Sequence, residues 1–118
     1  MITGDMELGS MITQCTKDSN RWFPGKAQSI ANQVLCMAGE VGEVANLIKK
    51  VERGSITLGD ARVAGLEEEI VDVLIYLCNL MGNEAFEDTD WEAIWNEKRR
   101  FNESRFNPIM VSDKKDER

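Results

Sequence analysis

Apolar residues recur along this chain at intervals of three and four and do not alternate by two, so the pattern predicts helices and no strands. Leu8, Met11, Ile12 and Cys15 mark one side of a first helix over about residues 5–17. Val34, Ala38, Val41, Ala45 and Ile48 form a continuous stripe on a second, over about residues 27–53. Gly54 suits the C′ position after it, since glycine enters the left-handed conformation freely. Loop 55–59 leads to Asp60, the expected N-cap of a third helix that runs to about Met81 and stops at Gly82-Asn83. Thr89-Asp90-Trp91-Glu92 has the form of a capping box and opens a fourth helix through Ile94 and Trp95 towards Phe106. Pro108 cannot extend it. The segment 18–26 contains Pro24-Gly25 and reads as a loop in which Trp22 and Phe23 either stack on a base or cover the core. The charged end, 108–118, has nothing to bury and reads as a flexible tail.

The third helix changes the picture. Leu66, Ile70, Val73, Leu77 and Met81 mark one side of it, while Val71, Ile75 and Cys78 cover much of the opposite side. A helix apolar on nearly every side is buried by its own domain or by another subunit, so subunit association is expected, with two-fold symmetry the commonest form. Glu69, Asp72 and Tyr76 share the strip between the two apolar sides. Glu40 and Glu43 form a second acidic pair, again at i, i+3 spacing, inside the apolar second helix.

Residues three apart on a helix lie on one face, so Glu40 aligns with Glu43 and Glu69 with Asp72. If the second and third helices pack antiparallel, as a short connection favours, four carboxylates converge. Such a cluster is strongly unfavourable by itself, because neighbouring like charges raise one another's pKa, and a divalent cation reverses the sign of that interaction. Ligands that are all oxygen point to Mg²⁺ or Mn²⁺ and away from zinc. Ordinary solvated acids are the competing reading, weakened by the apolar surroundings. Lys50, two turns beyond Glu43 on the acidic face, is a candidate for holding phosphate.

Length and composition narrow the function. The chain has 118 residues, three cysteines, no histidine and a formal net charge of −7. That length fits one all-α domain, 1–107, with the tail beyond it. The negative charge opposes binding to a nucleic-acid polymer, whose phosphates demand excess Lys and Arg. Without histidine, Ser-His-Asp and Cys-His nucleophile systems are excluded, as are the Glu-x-x-His ligand pairs of di-iron bundles. Cys15, Cys36 and Cys78 are odd in number and far apart, which suggests neither a disulfide framework nor a zinc site. No stretch is long enough to span a membrane and no leader is visible, so a cytoplasmic protein is expected.

The residues GEVGEVANLIKK and EEEIVDVLIYL, with twenty-five positions between Glu43 and Glu69, resemble the MazG-like all-α nucleotide pyrophosphohydrolases, whose signature is E-x-x-E, a spacer, then E-x-x-D. The resemblance covers about residues 27–106. It implies a four-helix bundle associating into a dimer or dimer of dimers. It also implies an enzyme that converts a nucleoside triphosphate to the monophosphate and pyrophosphate, with Glu40, Glu43, Glu69 and Asp72 as Mg²⁺ ligands and one of them acting on the attacking water. Tyr76 resembles a tyrosine that the dCTP pyrophosphatase branch places near the nucleotide. Lys98 and Asn102 resemble the K-x-x-x-N of that branch, followed here by Arg105, and would hold triphosphate oxygens, sugar or phosphate. The chain departs from that branch at the end of the second helix, where Lys49-Lys50 replace an aromatic base contact; Trp22 or Phe23 would then stack on the base.

The expectation is therefore a Mg²⁺-dependent nucleoside triphosphate pyrophosphatase, a hydrolase of acid anhydrides, working as a homodimer or homotetramer. Two other readings stay open: a non-catalytic helical interaction module that docks basic partner groups on its acidic face, and a nucleotide sensor without turnover.

Overall fold

The computed structural model describes residues 4–24 and 29–106. Among them are five α-helices and no strand: α1 (Leu8–Trp22), α2 (Ile30–Glu52), α3 (Leu58–Val63), α4 (Leu66–Met81) and α5 (Trp91–Phe106), with a short 3₁₀ turn at Glu84–Phe86. The all-α expectation holds, with one helix more than the sequence pattern predicts. The chain forms two compact units, Met1–Glu87 and Asp88–Arg118. The expected flexible tail, 108–118, and the expected start of the second helix at 27 lie outside the described residues. No described helix is long and apolar enough to cross a membrane.

Helix boundaries follow local chemistry, and several differ from expectation. The first helix does not end at Lys17. Asp18 accepts from Gln14 at 3.0 Å and from Arg21 at 3.0 Å, bonds that carry the helical turn forward until Phe23 and Pro24. Ser29 caps α2 by accepting from the Asn32 N–H at 3.0 Å. At the other end Ser55 N–H bonds Lys50 O and Gly54 N–H bonds Val51 O, both at 3.0 Å, with Gly54 at φ +77. That is the Schellman closure expected at Gly54.

The continuous helix expected from Asp60 to Met81 is two helices. Thr57, not Asp60, caps α3; Asp60 is the third residue of a reciprocal capping box, and its bonds to Thr57 hold its pKa below the usual range. Gly65 then stands at φ +103, a left-handed conformation that costs residues with a Cβ about 1–2 kcal/mol and interrupts a right-handed helix. Because α4 starts afresh after Gly65, Glu67, Glu68 and Glu69 fall in its first turn, where the helix dipole favours negative charge. Before α5 the cap is Asp90, which accepts from the Ala93 N–H at 3.0 Å, and not Thr89.

In the first unit α2 packs chiefly on α4, α1 packs on α4, and α3 touches both α2 and α4. Gly82, just past α4, sits so close to α1 that a Cβ there would lie 2.5 Å from Thr16 Oγ1 and 2.9 Å from Ile12 Cγ2. Cys78, fully buried, meets Cys15 of α1; burial first, then Cys15, pushes its thiol pKa up to about 11. All three cysteines are free thiols.

The buried apolar core of the described residues is only Ala61, Leu66 and Cys78. The stripe expected to pack α2, from Val34 through Ala38, Val41 and Ala45 to Ile48, is exposed along its whole length. On α4, Ile70, Leu77, Val71 and Ile75 are exposed as well. The face that α2 turns to the interior runs instead through Gln33, Cys36, Glu40, Val44, Leu47 and Lys50.

Candidate functional site

Polar residues occupy the seam between α2 and α4. On α2 they stand at 33, 36, 40 and 43, and on α4 at 69, 72, 76, 79 and 83 just beyond its end, steps of three and four that keep each set on one helix face. Low numbers pair with high ones. Gln33 bonds Asn79 and Asn83, Cys36 meets Tyr76, and Glu40 and Glu43 meet Glu69. The two helices are therefore antiparallel, as expected.

At the Glu69 end the acids converge. One carboxylate oxygen from each of Glu40, Glu43 and Glu69 lies within 4.8 Å of the others. The Oε2 atoms of Glu40 and Glu69 have almost no exposed surface and no hydrogen-bond donor. Their neighbours are other carboxylates, which only accept when ionised. Contact with Glu69 and its charge, then burial and Asp72, hold the Glu43 carboxyl above its usual pKa. Glu69 is raised as well, first by contact with Glu40, although its contact with Glu43 acts in the opposite sense.

Of the four acids read from the sequence, the structure brings three into one cluster. Asp72 is half-buried and its charge acts on Glu43, Glu69 and Tyr76, but it stands outside the three-oxygen group. Tyr76 lies one turn beyond it. Burial first, then the charges of Cys36 and Glu40, raise its phenol pKa, so it is a neutral O–H. Lys50 is half-buried on the interior face of α2.

The remaining candidates belong to other helices, α1 and α5. Trp22 is the last residue of α1, 62% exposed, with the Arg21 guanidinium 5.5 Å from its ring centre, and has no place in the seam. Lys98, Asn102 and Arg105 share a face of α5 in the second unit, where Lys98 and Arg105 lie 5.4 and 5.5 Å from the Phe101 ring. Lys98 also lines an open hollow of about 490 Å³ with Ile94, Glu97, Arg100 and Phe101.

Gln33, Cys36, Asn79 and Asn83 join the seam without having been singled out by any sequence motif. Their signal is the recurrence of polar residues in the same three-and-four rhythm as the acids. Comparison with protein-family models, curated proteins and solved structures gives no match for this chain.

Proposed function

We propose that this chain is a metal-dependent nucleoside triphosphate pyrophosphohydrolase of the MazG-like kind, acting as a homo-oligomer. The observation that carries the reading is the meeting of Glu40, Glu43 and Glu69 oxygens within 4.8 Å, two of the three residues presenting a buried oxygen that no donor satisfies. An acidic trio without a counter-charge is unfavourable, and a hard divalent cation supplies what these oxygens lack. The donor set fits Mg²⁺ or Mn²⁺, and the charge of Asp72 acts on Glu43 and Glu69 of that set. When bound, the ion supplies charge neutralisation for phosphate oxygens and a lowered pKa for a coordinated water.

The chain's own residues do the rest. Water adds to the α-phosphorus, the bond to the bridging oxygen breaks, and pyrophosphate leaves with the electron pair; one carboxylate of the set takes the water's proton. Tyr76 offers a neutral O–H beside the acids, suited to a sugar or base. Lys50, half-buried on the interior face of α2, offers a cation for phosphate.

The exposed apolar residues of α2 and α4 support the homo-oligomer. Among the described residues only Ala61, Leu66 and Cys78 are buried apolar side chains, and exposed apolar patches mark association surfaces. A dimer or a dimer of dimers, built on a four-helix arrangement, covers them.

The test is pyrophosphate release from a panel of canonical and modified nucleoside triphosphates, with Mg²⁺ and with EDTA. Metal-dependent release of monophosphate and pyrophosphate from at least one member is expected. Silence across the panel removes the enzyme reading. Mg²⁺-dependent nucleotide affinity in that case leaves a sensor, and partner binding changed by Glu69→Gln leaves an interaction module.

A further inference from the structure

The other end of the seam holds a built polar feature that no step of the proposed chemistry uses. Gln33 is 5% exposed and is the only buried polar residue among those described. Its Nε2 donates to the Asn79 backbone carbonyl at 3.2 Å, and its Oε1 accepts from Asn83 Nδ2 at 3.2 Å. Asn83 Oδ1 in turn accepts from the Ala85 N–H at 2.9 Å, which ties the pair to the turn that follows α4.

The choice of acceptor matters. Carbonyls in the middle of a helix are already taken by the helix's own N–H groups, whereas the last four are left without intrahelical donors. Asn79 belongs to that last turn of α4; Gly82 N–H goes to Cys78 O and Asn83 N–H to Leu80 O, which leaves Asn79 O for Gln33. Gln33 thus finds a receptive carbonyl at one place along α4, its C-terminal turn. A helix pair with apolar side chains at these positions slides by a turn at little cost, and a single buried amide is a known device against such slippage.

The intervals then transfer the alignment. Glu43 is ten residues from Gln33, and Glu69 is ten residues from Asn79; Cys36 and Tyr76 stand three residues along from the same pair. Ten residues of helix span about 15 Å. With Gln33 opposite Asn79, Glu43 must stand opposite Glu69, where the structure shows it.

We propose that Gln33 is a positioning residue: its amide clamp on the end of α4 sets the α2–α4 register that brings Glu40 and Glu43 against Glu69. The consequence for metal affinity rests on the reading of those acids as a cation site, whereas the register itself does not.

The experiment reads the two separately. Nitroxide labels on cysteines placed at the exposed positions Asn46 and Glu68, in a background free of the native cysteines and diluted with unlabelled chain, report the α2–α4 alignment by electron spin resonance. Calorimetry with Mn²⁺ reports the acid cluster in the unlabelled protein. Gln33→Met keeps the side chain's length, suits a helix seam and removes both bonds. It is expected to retain helical circular dichroism, to broaden or displace the label distance by about one helical turn, roughly 5 Å, and to weaken Mn²⁺ binding at least ~10-fold, about 1.4 kcal/mol. Gln33→Glu is the second variant: ionised, it cannot donate to Asn79 O, and protonated in acid it can. The label distance should therefore be disturbed at neutral pH and recover in acid. An unchanged, narrow label distance in both variants overturns the proposal. If the distance shifts as expected while the wild-type chain binds no Mn²⁺, the register role stands and the metal reading fails.

Discussion

Glu43 and Glu69 touch carboxyl to carboxyl across the α2–α4 seam, and each is held above its ordinary pKa of 4.5. Contact of this kind is tolerable when the pair shares a proton or a cation, and it sets up opposite responses to pH and to metal.

The pH response of the metal-free protein has a definite sign. Groups whose folded pKa is raised hold protons in the native state that the unfolded chain has released, so they favour folding in acid and lose that contribution as pH rises. The thermal midpoint without divalent ions should therefore fall as pH rises from 4.5 through the raised values of Glu43 and Glu69. Saturating Mg²⁺ should flatten or invert the trend, because a cation at the cluster favours the ionised forms. Calorimetry at several pH values, with EDTA and with Mg²⁺, measures both; identical curves would remove the ion from the picture.

Glu69→Gln separates stability from function. It deletes a charge from the centre of the cluster, so the metal-free variant at neutral pH should melt higher than the parent. Stabilisation by Mg²⁺ should vanish, and pyrophosphate release should drop at least ~100-fold, the scale of losing a positioned catalytic group. A variant that keeps full turnover shows that Glu69 is not part of the machinery.

Two glycine substitutions probe packing. At Gly82 an added methyl meets Thr16, whose hydroxyl is fixed to Ile12 O at 2.9 Å, and the β-branched Ile12 itself. Gly82→Ala should cost about 1–3 kcal/mol in urea unfolding, the range for overpacked sites. Gly42 lies mid-helix in α2, where an added methyl would meet nothing within 4 Å, so within a single chain Gly42→Ala should stabilise by about 0.5–1 kcal/mol. A loss at Gly42 instead would place another copy of the chain against that face.

The same face predicts the assembly. Leu35 is 70% exposed on α2, beside the exposed Val34. Sedimentation should give a mass of at least two 13.3 kDa chains, and Leu35→Glu, which puts a charge where an apolar contact is expected, should weaken association at least ~10-fold. A wild-type monomer at micromolar concentration would contradict the proposed homo-oligomer.

Much of the acidic site is legible in the sequence because i, i+3 spacing is a local property: Glu40 and Glu43, and Glu69 and Asp72, must share faces once their segments are helical. The break at Gly65 is harder to see. Glycine inside a helical pattern is often tolerated, and Ala64-Gly65 has no proline to force a stop. Its effect on the site is direct, since it moves Glu69 from mid-helix to a first turn. The stripe from Val34 to Ile48 is apolar as its pattern indicates, yet it is not packed inside the chain, because periodicity shows that a face needs covering and not what covers it. Trp22 belongs to a helix and not to the loop that Pro24-Gly25 signals, because the Asp18 bonds carry α1 to within two residues of that proline.

Composition and periodicity determined that this protein is helical, that no histidine is present to take part in any chemistry, and that acids are paired on single helix faces. Those are short-range facts, settled by about 100° of rotation per residue and by which side chains exist to act. Tertiary structure decided which faces meet: the polar seam turned inward, Asp72 stood aside from the cluster, and Gln33 reached the end of α4. Such choices depend on contacts between residues far apart in the chain, from Glu43 with Glu69 to Gln33 with Asn83, where the bonds left open at a helix terminus and the repulsion among carboxylates weigh against packing that local pattern cannot register.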